Sequence, residues 1–116
     1  LINLFDKLES LKIEFDTKEY IKGISKGNSY FHTFINKDNL AAGILRLEPG
    51  EKDRQEPHES DEIYYVIRGD GFLNVGANDY SVSKGMSYFV AKNIEHRFHG
   101  NKKELVVLYF FGGPDI

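Results

Sequence analysis

The sequence contains no cysteine. Without thiols there is no disulfide scaffold and no thiolate zinc site, and the composition is compatible with a reducing compartment. No apolar run approaches the ~20 residues that span a bilayer. Positive charge is not in excess either: 15 Lys and Arg stand against 18 Asp and Glu, a formal net charge of −3. That balance argues against non-specific binding to nucleic acid or to an anionic membrane, both of which need a basic face. A nucleophile-elbow Gly-x-Ser-x-Gly is missing, and Gly69-Asp70-Gly71 has no helix after it to make a phosphate cradle. The first residues, Leu1 to Lys7, lack the basic region and long apolar stretch of a secretory signal. The opening residue is not Met, which is compatible with a removed leader. The expectation is a soluble cytoplasmic protein.

What the chain does have is one core's worth of apolar residues. Its 116 residues suit a single domain spanning 1–116, and 41% are hydrophobic, with seven Tyr and nine Phe to supply large buried surfaces. Leu1, Leu4, Phe5, Leu8 and Leu11 recur at helical spacing and predict a short N-terminal amphipathic helix. Everything after it reads as strand and turn. Glu19 to Ser25 and Ser29 to Ile35 are rich in Tyr, Phe, Ile and Thr, with the turn Lys26-Gly27-Asn28 between them. Asn39 to Glu48 is extended up to the breaker Pro49-Gly50. Glu51 to Ser60 reads as a polar loop or an irregular strand entry, most of its charge simply solvated. Further strands are expected at Glu62 to Arg68, Phe72 to Val75, Asp79 to Val82, Met86 to Val90, His96 to His99 and Leu105 to Phe111. Short strands with turns about every ten residues indicate an all-β barrel or sandwich rather than a βαβ sheet.

Within this pattern His58, Glu62 and His96 stand out. Two imidazoles and a carboxylate arriving on different strands suit an open site for a divalent transition metal (Fe, Mn, Ni, Cu or Zn). Residues of equal parity share a strand face, so His58 and Glu62 point the same way if the backbone between them is regular. Glu56 has the same parity and is a possible fourth ligand. Pro57 distorts a ladder, and a distortion there would present Gln55 instead; the choice between Gln55 and Glu56 is open. Tyr64 also shares parity with Glu62. It is a candidate catalytic proton donor, with a core aromatic as the plainer reading. His99 has the opposite parity to His96 and should face away. His32 reads as a packed or hydrogen-bonded barrel residue, and Arg97 as one half of a surface salt bridge, with bidentate binding of a substrate carboxylate as the alternative.

The two histidine-bearing segments resemble the cupin superfamily. Gly50, His58, Glu62 and Gly69 stand at positions of its first motif, and Gly85 and His96 at positions of its second, at about 50–69 and 85–100. The departures are specific. Glu56, beside Gln55, replaces the first His of the usual pair. Ala91 replaces Pro, Asn93 replaces the turn Gly, and Gly100 replaces Asn. Asn93 is a reasonable substitute, since Asn tolerates left-handed backbone better than most residues. The wording from Asp53 to Glu62 looks like one group of small, uncharacterised bacterial and archaeal cupins. The resemblance implies a jelly-roll barrel (a double-stranded β-helix) and a metal held by His58, Glu62 and His96. It further implies a small-molecule ligand or substrate in the barrel, and a homodimer paired through an N-terminal strand. The activity implied is that of a metal-dependent enzyme (dioxygenase, isomerase or lyase), or else a non-catalytic ligand-binding or sensory cupin.

Overall fold

The computed structural model describes residues 11–24 and 30–115. Residues 1–10, which carry most of the expected N-terminal helix, lie outside them, and Leu11 is exposed and non-helical. A short helix, α1 (Thr17–Ile24), occupies most of the segment expected as a strand at Glu19 to Ser25. Local chemistry explains the difference. Asp16 Oδ1 accepts hydrogen bonds from the backbone N–H groups of Lys18 (3.1 Å) and Glu19 (3.3 Å), capping the first turn. Ile21 and Ile24, three apart, then fall on one face and bury against Ile44 and Val106. The β-branched and aromatic content that suggested a strand is the helix's apolar face.

Eight antiparallel strands follow: β1 (Phe31–Lys37), β2 (Leu40–Leu47), β3 (Glu62–Arg68), β4 (Phe72–Val75), β5 (Asn78–Ser81), β6 (Ser87–Val90), β7 (His96–His99) and β8 (Leu105–Phe111). Five of them form one sheet in the order β1-β2-β8-β3-β6, and three form a second, β5-β4-β7. Side chains alternate cleanly on β3. Glu62, Tyr64 and Val66 are buried between the sheets, while Ile63 and Tyr65 face outward. Strand β2 is buried on both faces because α1 covers its outer side, so Ala41 to Leu45 read as a continuous apolar run.

The core between the sheets joins Leu45, Leu47, Tyr64, Val66, Leu73, Val90, Phe98, Leu105 and Val107, all at 2% exposure or less. Each large side chain so buried contributes roughly 1.5–3 kcal/mol. Gly43 shows how tightly β2 and β8 are fitted. A Cβ there would sit 2.3 Å from the ring and hydroxyl of Tyr109 and 2.5 Å from the His32 carbonyl oxygen. Only glycine leaves room for that ring.

Candidate metal centre

Glu62 opens β3 and His96 opens β7, so the two sheets bring them together at one end of the core. Both are almost fully buried, at 1% and 2% exposure. His58 comes from outside any strand: residues 58–61 are irregular, so strand parity does not aim it. Its position is set by a backbone bond instead. Asn93 adopts the left-handed conformation (φ 65°), and its N–H donates to the His58 carbonyl at 2.7 Å. Asp61 braces the same corner, accepting from the Lys92 N–H at 2.9 Å and, through its carbonyl, from the Gly112 N–H at 3.0 Å. The His58 ring rests on Phe111, with centroids 4.4 Å apart.

One donor atom from each of His58, Glu62 and His96 lies within 4.8 Å of the others. His96 Nδ1 is 2.8 Å from the Ile94 carbonyl oxygen, which can only accept, so Nδ1 carries a proton and Nε2 is the atom turned to the cluster. His96 Nε2 and Glu62 Oε1 stand 3.1 Å apart, within charge-attraction range but not aligned as a hydrogen bond. His58 Nε2, both Glu62 oxygens and His96 Nε2 are all buried without a hydrogen-bond partner. Four orphaned polar atoms at one point would cost several kcal/mol if left unmet. A proton on His96 relieves part of that cost; a divalent cation bound by all three residues relieves all of it. Burial pushes the His96 pKa down, but the facing Glu62 and the Ile94 carbonyl outweigh it and hold it above its ordinary value.

Behind the cluster lies a buried hydrogen-bond chain. Tyr64, fully buried against Phe98, donates its hydroxyl to Gln55 Oε1 at 2.8 Å. Burial and the negative charges of Glu62 and Asp53 push its phenol well above the usual range, so it stays protonated. Gln55 Nε2 donates to Asp53 Oδ2 at 2.7 Å. Asp53 is itself buried, accepting also from the Tyr30 hydroxyl (2.9 Å), the Gln55 N–H (3.2 Å) and the Phe98 N–H (2.8 Å). It is the site residue that sequence reasoning missed. Within a charged stretch expected to be mostly solvated, nothing marks one carboxylate as buried.

Beside His58 a cavity of about 260 Å³ opens, walled by Tyr30, Phe31, Leu45, Tyr109 and Phe111, with Arg54, Gln55, Glu56, Pro57 and Asp115 completing its lining. Thr33 Oγ1 bridges the Tyr109 hydroxyl and the Asp115 carboxylate at its margin. Arg54 lies over the Tyr30 ring, 5.4 Å from its centroid. Glu56 is exposed on this wall, whereas Gln55 is half-buried. The remaining singled-out residues are elsewhere. His99 faces outward and meets Asp79 at 3.0 Å, His32 is exposed and stacks on Tyr20 of α1 at 5.0 Å, and Arg97 is exposed on the outer face of β7.

Comparison with known proteins agrees with this architecture. Residues 43–112 match the model of the family described as the cupin domain. An uncharacterised protein of Streptomyces coelicolor is 33% identical over 82 residues, covering 71% of this chain and 78% of its own. Among solved structures, an RmlC-like cupin from Shewanella frigidimarina aligns with a TM-score of 0.63 at 19% identity, covering 73% of this chain and 75% of its own. An uncharacterised protein with a double-stranded β-helix domain from Klebsiella pneumoniae aligns at 0.74 and 11% identity, covering 90% and 93%. KdgF from a Halomonas species aligns at 0.64 and 18% identity, covering 74% and 80%.

Proposed function

The chain belongs to the cupin family, and on that footing we propose that it is a metal-dependent enzyme acting on a small organic molecule. The observation that carries this reading is the convergence of four buried, unpartnered donor atoms from His58, Glu62 and His96 next to a cavity. These three residues would hold a divalent transition metal; two imidazoles and a carboxylate suit Fe, Mn, Ni, Cu and Zn alike. When bound, such an ion supplies a Lewis acid for substrate oxygens or a centre for dioxygen, which fits a dioxygenase, isomerase or lyase.

The chain's own residues complete the site. The Ile94 carbonyl fixes the His96 tautomer, orienting the ring from behind. Phe111 backs His58 and limits its ring rotation. The aromatic walls exclude water from a substrate body and leave Arg54 as the cationic side chain of the lining. No helix among the described residues is long and apolar enough to cross a membrane.

A homodimer is part of the proposal. Ile35, Ala42, Phe110, Ile63 and Phe89 form one row across the outer face of all five strands of the larger sheet. Away from α1 the row is exposed, reaching 49% at Ile63 and 63% at Phe89. An apolar stripe of that kind favours a covered face over a solvated one.

Activity is tested by screening oxygen uptake and product formation across small phenols, thiols and keto acids, with each metal loaded. Turnover that disappears in Glu62→Gln while ligand binding persists supports the enzyme. Ligand binding without turnover in every metal form would favour a sensory cupin instead.

A further inference from the structure

The amide of Gln55 has its orientation dictated by its neighbours. Asp53 offers only acceptor oxygens, and both are already engaged by Tyr30, Phe98 and the Gln55 backbone, so the Gln55 NH₂ must face it. The amide oxygen is thereby turned to Tyr64. A phenol has one proton to give, and Tyr64 gives it to Gln55 at 2.8 Å. Its alternative acceptor is Glu62, two residues away on the same inward face of β3. Both Glu62 oxygens are buried and without a donor. The two facts fit together: the tyrosine proton that would satisfy Glu62 is drawn away from it.

We propose that Gln55, anchored by Asp53, is a positioning residue that holds the Tyr64 hydroxyl off Glu62 and so keeps both carboxylate oxygens free for a cation, without being a metal ligand itself. This rests on the metal reading above and assigns the position next to the missing motif histidine a different task. The protein would then hold its ion through His58, Glu62 and His96 alone, leaving more of the coordination sphere to substrate than a four-ligand site does.

A double-mutant cycle read by Co²⁺ titration, following the visible absorption of the bound ion, tests this without any turnover assay. Gln55→Leu removes the acceptor and lets Tyr64 donate to Glu62; Co²⁺ affinity should fall about 10–100-fold, the range for residues that orient ligands. Tyr64→Phe removes the competing donor and should bind Co²⁺ about as well as the wild type. The double variant should return to the affinity of Tyr64→Phe, because no hydroxyl remains to occupy Glu62. If the double variant stays as weak as Gln55→Leu, or Gln55→Leu binds normally, the proposal is overturned. Should Gln55→Leu fail to fold, Gln55→Glu decides by sign. A metal ligand made anionic tightens Co²⁺ binding, whereas a clamp facing Asp53 with a second carboxylate loosens it. Wild-type protein that takes up no Co²⁺ would sink the metal reading instead, so the two failures are distinct.

Discussion

His96 Nε2 and Glu62 Oε1 face each other at 3.1 Å inside the core, and the His96 ring is fixed by the Ile94 carbonyl so that this nitrogen cannot turn away. A proton on His96 suits that approach, and under the proposed function a metal ion would compete with the proton, which would make the site sensitive to pH.

The sign follows from His96, whose pKa in the metal-free fold lies above its ordinary value of 6.5. A raised histidine pKa contributes stability that is fully present below the unfolded value. That stability is lost as pH rises through the folded value. The melting temperature of metal-free protein should therefore show a His96-dependent loss from about pH 6.5 upward. Metal binding displaces that proton, so affinity should weaken by about tenfold per pH unit below the folded pKa. Melting curves with and without Zn²⁺ across this range check both trends. A metal-induced shift that shrinks as pH rises would contradict them.

Glu104 predicts a second pH effect on the opposite side of the scale. Burial raises its carboxyl pKa, but hydrogen bonds and charge from Arg68 and Arg46 outweigh it and hold it below its ordinary value. A depressed carboxylate contributes stability above its unfolded pKa of about 4.3, lost as pH falls through the folded value. Glu104→Gln should narrow the stability difference between neutral and acidic solution, measured by urea unfolding at each pH.

Gly43→Ala should destabilise the fold by about 1–3 kcal/mol, since the added methyl meets the Tyr109 ring at 2.3 Å. Denaturant unfolding measures the loss. Because Tyr109 lines the cavity, ligand affinity should fall in the same variant.

Phe89, 63% exposed at the edge of the outer apolar row, tests the dimer. Phe89→Asp should shift the chain toward monomer in light scattering while leaving the melting temperature nearly unchanged. A wild-type monomer at high concentration would remove that part of the proposal.

Much of this molecule was legible in the sequence, for reasons that differ by residue. The bounds of β3, β4 and β8 follow from β-branched and aromatic runs bounded by turn residues. Asn93 was expected to tolerate left-handed backbone and does adopt it. The helix α1 reads as a strand in the sequence because its apolar face is built from strand-favouring residues, and its cap depends on one side chain, Asp16, accepting from two backbone N–H groups. His58 reaches the cluster, but not by the strand parity that first linked it to Glu62; a loop tied to Asn93 brings it there. Asp53 was illegible because its burial depends on Tyr30 and Phe98, distant in sequence by 23 and 45 residues.

The most direct test is elemental analysis of the protein purified without added metal and again after reconstitution with Fe²⁺, Mn²⁺, Ni²⁺, Cu²⁺ or Zn²⁺. The site described predicts about one ion per chain with at least one of these metals, and loss of that ion in His58→Ala, His96→Ala and Glu62→Gln, each folded by circular dichroism. Wild-type protein that stays as empty as His58→Ala with every metal would contradict it.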